Sequence, residues 1–578
     1  MRKLDFYPRL ALRSIRLNGK FYLPYLLSGA ISAAMLYDIL FLNMNRGIYA
    51  LKGANAVQGL LGFGALVVAL FSLALILYTN GFLMKRRQKE LGLYNILGME
   101  KRHLGRLLLW EGVYTALICI GGGLLLGILL SKLFLLLLCA IIRTSVPFGF
   151  EVPGEAVLYT VVAFGGIYLF TFLLNLFRLG RVKPIELLKG TETGEREPRT
   201  KWLLALVGFV TMAAGYYLSV TVQDPLRALG IFFIAVVLVI IGTYCLFIAG
   251  SIWVLKALRK NKKFYYQPRH FTNLSGMLHR MKRNGAGLAT ICILSTMVLV
   301  TISTTLCLYA GADRVIGSLY GREVQTYVFG GGPENREKVM AVYEQVLRER
   351  GVEGRNLTAF CAYADEPEYN WRTAAAPYFD RGVTEEVLGD PSGQVFFTYV
   401  GCDVDKDANT YELRLALESG VNDLCSDPTF AYDRTFTDDG RGDRFDYWSS
   451  LGGFFFIGLF LGSLFLMAAV LIVYYKQVSE GYEDVRSFQI MQQVGMTQRE
   501  VKSSIKSQIS LVFFLPLLAA ACHTAGAFPM TKLILTLFGL SNTGLFGLCS
   551  LVTILIFAVV YYLIYRLTAR EYYRIVRR

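Results

Sequence analysis

Apolar residues gather into ten stretches of roughly 20 residues, near 22 to 42, 57 to 80, 108 to 138, 155 to 177, 202 to 220, 229 to 255, 286 to 312, 451 to 475, 507 to 537 and 545 to 565. A helix of that length crosses a hydrocarbon core of about 30 Å. One long polar interval, 313 to 447, separates the seventh stretch from the eighth. Within it EVQTYVFGG (323 to 331) and QVFFTYVGCDV (394 to 404) have strand composition, and PENREKVMAVYEQVLRERG (333 to 351) has a helix start at Pro333 and a stop at Gly351. The pattern predicts a polytopic α-helical membrane protein with ten transmembrane helices and one mixed α/β domain between helices seven and eight. That domain is large enough for its own core.

Composition supports the membrane class. Of 578 residues, 54% are hydrophobic and only 18% charged, below the quarter expected of a soluble chain. The charges are also sorted. The interval 313 to 447 has 26 acidic and 14 basic residues, whereas the rest of the chain is strongly basic and brings the whole to a formal charge of +16. Basic residues concentrate at 1 to 20, 81 to 107, 256 to 285 and after Arg566, which ten spans place on one side of the membrane. Lys and Arg mark the cytoplasmic side, so both termini are expected in the cytoplasm and 313 to 447 outside the cell. This basic balance points to topology and anionic membrane lipids, and no nucleic-acid partner is inferred from it. The first apolar run follows a 20-residue basic head and lacks a small-residue cleavage site, so it reads as a retained span. In that head Arg9, Arg13, Arg16 and Lys20 share one narrow helical face, which predicts an interfacial helix on the cytoplasmic leaflet. Cys361, Cys402 and Cys425 of the polar interval cannot all pair within one chain, leaving one disulfide or none. No cysteine has zinc-ligand spacing, and no metal site is expected.

The chain therefore divides into an interfacial helix (1 to 20), a first bundle of spans one to four (21 to 190), a pair of spans (191 to 255), a basic segment with span seven (256 to 312), the external domain (313 to 447) and a second half with spans eight to ten (448 to 578). Two charged elbows interrupt the bundles, at 85 to 107 and 476 to 506. Aligning Gly98-Met99 with Gly495-Met496 puts Leu97 on Val494, Arg102 on Arg499 and Glu111 on Gln508 without a gap. In each elbow a helix leaves a span, crosses charged residues, meets a glycine suited to the left-handed position after a helix end, and restarts toward the next span. Thr497 and Glu500 form a T-x-x-E capping box at the second restart. Two such knobs below the bilayer need something to press on.

The pattern R-x-x-E-x-G-x-x-x-x-x-G across Arg87, Glu90, Gly92 and Gly98, followed by Glu111 and by KPIELLKG at 183 to 190, resembles FtsX-like ABC permeases. Ten spans with one large external domain between spans seven and eight are similar to the bacitracin-export (BceB-type) permeases of Gram-positive bacteria. The resemblance covers essentially the whole chain apart from the external domain, and it implies two FtsX-like bundles flanking the central pair. It also implies that the chain is the permease subunit of an ATP-driven transporter, not itself an enzyme, working with two copies of a separate ABC ATPase subunit that uses ATP and Mg. The coupling residues carried over are Arg87, Glu90, Gly92, Leu97, Gly98 and Met99 in the first elbow and Glu483, Gly495, Met496, Thr497 and Glu500 in the second. Ser487 stands where the first elbow has Glu90. The substrate implied is a peptide antibiotic or its complex with a lipid-linked cell-wall precursor, engaged somewhere within 313 to 447. A sensor histidine kinase is a further implied partner, with spans five and six, apart from the elbow-bearing bundles, available to it.

The chain contains no G-x-x-x-x-G-K-[ST], so no nucleotide or other cofactor is expected in this chain and no catalytic residue is assigned. Glu90 is expected to pair with Arg86 or Arg87. Ion-coupled secondary transport is disfavoured because the ionisable groups within spans, Asp38, Lys132, His523 and Lys532, are too sparse for a relay. Another alternative is a sensory or regulatory permease that passes ATPase motion to an extracellular partner without transport.

Overall fold

The computed structural model describes residues 3 to 49, 54 to 144, 151 to 181, 202 to 260, 268 to 319, 321 to 364, 387 to 388, 395 to 405, 408 to 493 and 498 to 576. Among them ten helical segments are long and apolar enough to cross a membrane. Helix α1 (Lys3–Leu17) precedes span one in α2 (Gly19–Met44); α3 (Ala54–Ile96), α4 (Lys101–Ile141) and α5 (Gly154–Arg181) carry spans two to four. Spans five and six lie in α6 (Trp202–Thr221) and in α7 (Pro225–Cys245) continued through a π-turn (Leu246–Gly250) into α8 (Ser251–Lys260). Helix α9 (Pro268–Leu319) carries span seven. The domain that follows has β1 (Val324–Phe329), α10 (Asn335–Arg350), β2 (Arg355–Ala364), β3 (Val387–Leu388), β4 (Val395–Asp403), α11 (Thr410–Cys425) and β5 (Arg434–Asp439). Helices α12 (Gly440–Gln493), α13 (Gln498–Thr536) and α14 (Thr543–Val576) carry spans eight to ten.

The chain forms two compact units, one of residues 1 to 48, 58 to 307 and 454 to 578, the other of residues 49 to 57 and 308 to 453. In the first, helices approach closely where side chains are small. A Cβ at Gly123 of α4 would lie 2.6 Å from Ala33 Cβ, and one at Gly127 would lie 3.1 Å from Ala34 O, so α2 and α4 pack backbone to backbone. Without a hydrophobic drive between helices in lipid, such close contact is what holds them together. Helix α1 turns Ala11, Ser14 and Ile15 inward and leaves Leu12 and Leu17 exposed. Tyr7 on α1 hydrogen-bonds His103 Nδ1 on α4 at 2.5 Å. The head thus uses the face opposite its arginines to pack on protein.

Spans five and six differ from the sequence expectation that set them apart. Ser219 Oγ donates to Gly526 O at 2.7 Å, Tyr216 and Thr243 hydrogen-bond the two ring nitrogens of His523, and Ala228 and Ala235 pack on Met530. The pair is docked on span nine, because its small and hydroxylated positions face α13. His523 is accordingly a packed, doubly bonded side chain. Asp38 is buried in span one with neither carboxylate oxygen hydrogen-bonded among the described residues.

In the second unit the sheet order is β3-β2-β4-β1-β5, antiparallel except for β2 with β3. Alternation along β1 turns Val324 and Val328 toward Val339 and Tyr343 of α10 and Leu417 of α11. Tyr327 and Phe329 point the other way, to a cluster with Phe360, Phe397 and Tyr399. Helix α10 stops at Gly351, whose φ of +63° is the left-handed conformation its sequence position predicts. Cys361, Cys402 and Cys425 are free thiols, so the structure holds no disulfide among them. Burial pushes the Cys402 thiol up to about 12. Among the aromatics of this unit, Phe397 and Tyr399 are core, and Tyr363 packs edge-on to Phe396; Tyr369, Trp371 and Tyr378 lie outside the described residues.

Candidate functional site

The first elbow is a closed structural motif. Helix α3 runs 43 residues, about 65 Å, so it continues well past span two before it stops. Gly98 adopts φ +97°, its N–H donates to Asn95 O at 3.1 Å, and the Met99 N–H reaches back to Tyr94 O at 3.0 Å. This pair of bonds is a Schellman motif with Gly98 at the left-handed position, and it caps carbonyls that the helix end would otherwise leave unpaired. The accompanying apolar contact is also present: Tyr94 and Met99 pack on a cluster of Leu91, Leu104, Leu108 and Leu179. Asn95 Nδ2 donates to Met99 O, and Lys101 Nζ donates to Gly180 O at 2.7 Å, tying the restart to the end of α5. Glu100 occupies the N-cap of α4 without capping through its side chain, and pairs with Arg102 instead.

Arg87 fixes the base of the knob. It is 2% exposed, and its guanidinium donates to Tyr22 Oη at 2.8 Å, Ser14 Oγ at 2.8 Å, Glu90 Oε2 at 3.1 Å and the carboxylate of Glu111. Four elements meet on this one side chain: α1, α2, α3 and α4. Glu90 also accepts from Asn18 Nδ2 at 3.2 Å, from Tyr94 Oη at 3.2 Å and from Ser14 Oγ at 3.3 Å. Burial alone would raise the Glu90 carboxyl, but the hydrogen bonds and charge of Arg87, with those of Tyr94 and Ser14, outweigh it and hold it below the usual carboxylate range. Glu111 is 4% exposed. Removing one partner of such a buried pair leaves a charge without compensation, at a cost of roughly 3–5 kcal/mol.

The tip is different in kind. Leu93, Ile96 and Leu97 are 50%, 56% and 72% exposed, and they lie between spans two and three. Three large apolar side chains on a knob that is otherwise pinned by ions form an exposed patch of the sort that marks a docking surface.

The structure thus brings together Arg87, Glu90, Leu97, Gly98 and Met99 of the sequence-assigned residues, with Gly92 buried on the same helix. Of the two bases sequence offers for Glu90, Arg87 is the partner; Arg86 lies near the rings of Phe21 and Phe82. In the second elbow α12 ends at Gln493 and α13 begins at Gln498. Gly495, Met496 and Thr497 lie outside the described residues, and Glu483 and Glu500 are described only as helical positions. The segment KPIELLKG also lies outside them. Sequence reasoning missed Ser14, Asn18 and Tyr22, and it quoted Glu111 without giving it a role. The signal was there: positions 14, 18 and 22 are four apart and lie opposite the Arg9, Arg13, Arg16 face.

Residues 62–184, which contain this elbow, match the family described as FtsX-like permease C-terminal. The chain is 23% identical over 597 residues to the ABC transporter permease protein YxdM of Bacillus subtilis (strain 168), covering 89% of this chain and 92% of that protein. It is 24% identical over 599 residues to the bacitracin export permease protein BceB of the same organism, again covering 89% and 92%. A BceB of Halalkalibacterium halodurans is 22% identical over 612 residues, with the same coverage.

Proposed function

We infer that this chain, an ABC transporter permease of the BceB type, couples two copies of a separate ATPase subunit to the handling of cell-wall-active peptide antibiotics, exporting them or removing them from a lipid-linked target. The observation that carries the coupling is the first elbow: an apolar tip of Leu93, Ile96 and Leu97 on a glycine-closed knob whose base is locked by Arg87. A partner that grips the tip cannot slide the knob without moving α1 to α4 together, since all four contribute to the ion cluster. ATP and Mg act in the partner subunit; this chain supplies the rigid helix and the grip. The second elbow serves the second ATPase copy, and α12 is a single helix from the last strand of the sheet domain to that elbow. Both termini are cytoplasmic and residues 313 to 447 extracellular, with an excess of acidic residues that attracts cationic peptides. The names of the bacitracin export relatives support the substrate class. Signalling to a histidine kinase belongs to the same reading, through faces of spans five and six not used against α13.

The test is a strain expressing the chain with its cognate ATPase. Gly98→Val together with Gly495→Val should leave membrane insertion intact while abolishing both ATPase stimulation and peptide-antibiotic protection. Unchanged stimulation and unchanged protection would sink the elbow model. Deleting 320 to 445 should abolish protection from particular antibiotics; an untouched resistance profile would remove that domain as the recognition element.

A further inference from the structure

The Arg87 cluster leaves one of its atoms unexplained. Glu111 gives Oε2 to Arg87, yet its Oε1 is buried and has no hydrogen-bond partner among the described residues. A buried carboxylate oxygen left in that state is costly, so it calls for a ligand. Glu111 borders a small cavity among spans one to four, about 40 Å³ of which the centre of a water molecule can occupy. At least one water therefore fits, and whether it would stay depends on the polar groups around it.

Those groups come from several helices. On α4, Thr115 lies one turn beyond Glu111 on the same face, and its Oγ1 donates to Gly112 O at 3.0 Å. On α5, Thr171 Oγ1 donates to Ile167 O at 2.8 Å, and Asn175 borders the cavity one turn further on. Each hydroxyl has a single proton, already committed to its own helix, so what it offers the cavity is a lone pair. Asn80 of α3 and Asn175 bond each other reciprocally at 2.8 and 3.1 Å, and each amide has a further N–H. All four side chains are buried. The lining thus combines acceptor oxygens of Glu111, Thr115 and Thr171 with amide N–H donors of Asn80 and Asn175.

We propose that this cavity is an internal water site, its water donating to Glu111 Oε1 and to a threonine oxygen and accepting from the Asn80–Asn175 pair. A buried water makes about three such bonds, to groups that would otherwise lack partners. A metal cation is the weaker occupant, because the Arg87 guanidinium already sits on the same carboxylate and repels a second positive charge in a low-dielectric site. The consequence is mechanical. Among the described residues α5 supplies no side chain to the Arg87 cluster, and the water connects its Thr171 and Asn175 to Glu111. Span four is thereby joined to the base of the elbow, beyond the four elements that meet on Arg87, whatever partner grips the tip.

The experiment uses the full chain in lipid nanodiscs, exposed to synchrotron X-ray pulses, with oxidised residues read by mass spectrometry. Radiolysis turns a bound water into hydroxyl radical where it sits, so side chains beside it are oxidised although bulk water does not reach them. Tyr22 and Tyr25 border the cavity and are 2% and 3% exposed, while Tyr343 and Tyr399, fully buried in the sheet domain, serve as the reference. Tyr22 and Tyr25 should be oxidised well above that reference. Thr115→Val with Thr171→Val, which keeps the shape and removes both oxygens, should abolish the excess. Wild-type Tyr22 and Tyr25 oxidised no more than the reference, or an unchanged excess in the valine variant, overturns the proposal. An excess lost when sodium and potassium are replaced by choline overturns it in favour of a hydrated cation. Should the valine variant fail to fold, the wild-type comparison decides alone.

Discussion

The two elbows have the same plan and different chemistry. Gap-free alignment on Gly98 and Gly495 sets Asp484 against Arg87, Ser487 against Glu90 and Gln508 against Glu111. Every ion of the first cluster is replaced by a residue that cannot reproduce it: the cation by an acid, both acids by neutral side chains. The first knob is bolted to its bundle through a buried guanidinium and the head helix. The second has no counterpart of those charges at the aligned positions. The lesson is that the two elbows are unequal levers for whatever grips them, one carrying a buried ion cluster at its base and one lacking those charges at the aligned positions.

The largest test of this inequality is Arg87→Leu, which strands Glu111 in a buried site and should cost roughly 3–5 kcal/mol. In thermal unfolding of the purified chain it should lower the midpoint well beyond Asp484→Asn. Equal losses would show that the elbows are anchored alike. Next comes Gly98→Val, where a β-branched residue at φ +97° adds strain of at least about 1–2 kcal/mol; Gly98→Asn should recover much of the coupling, since Asn tolerates that conformation. Third, Leu93→Ser with Leu97→Ser should change unfolding by no more than about 0.5 kcal/mol, because both are exposed, yet ATPase co-purification should fall. Retained co-purification would move the docking surface elsewhere.

The smallest expected effect is on pH. Glu90 is held below its ordinary value of 4.5, so its contribution to stability is complete above that pH and fades as pH falls through the lower folded value. Its side chain is 25% exposed, which keeps the effect under about 1 kcal/mol. Glu90→Gln should flatten the acid limb of the unfolding curve below pH 4.5, and Ser487→Ala, at the aligned position, should not alter it.

Much of the architecture could be read from the chain. Apolar length alone marks all ten spans, since lipid forces the backbone into helices that satisfy themselves; Val324–Phe329 and Val395–Asp403 follow from β-branched and aromatic composition. The left-handed Gly98 was legible because few residues other than glycine accept that conformation. What could not be read is who meets Arg87. Its partners stand up to 73 residues away on three other helices, and helical periodicity says which face a residue takes but not which face it meets. The docking of spans five and six on α13 was hidden for the same reason: Ser219 and Gly526 are 307 positions apart.

The Arg87 cluster also imposes an order on assembly. Tyr22 is made 65 residues before the arginine, and Glu111 arrives 24 residues after it. When span two is first made, its C-terminal end therefore carries a cation whose most buried counter-charge does not exist until span three follows. The head helix, made ahead of all of these, is latched through its Ser14 to Arg87, so its final seating waits on a residue 73 positions later in the chain.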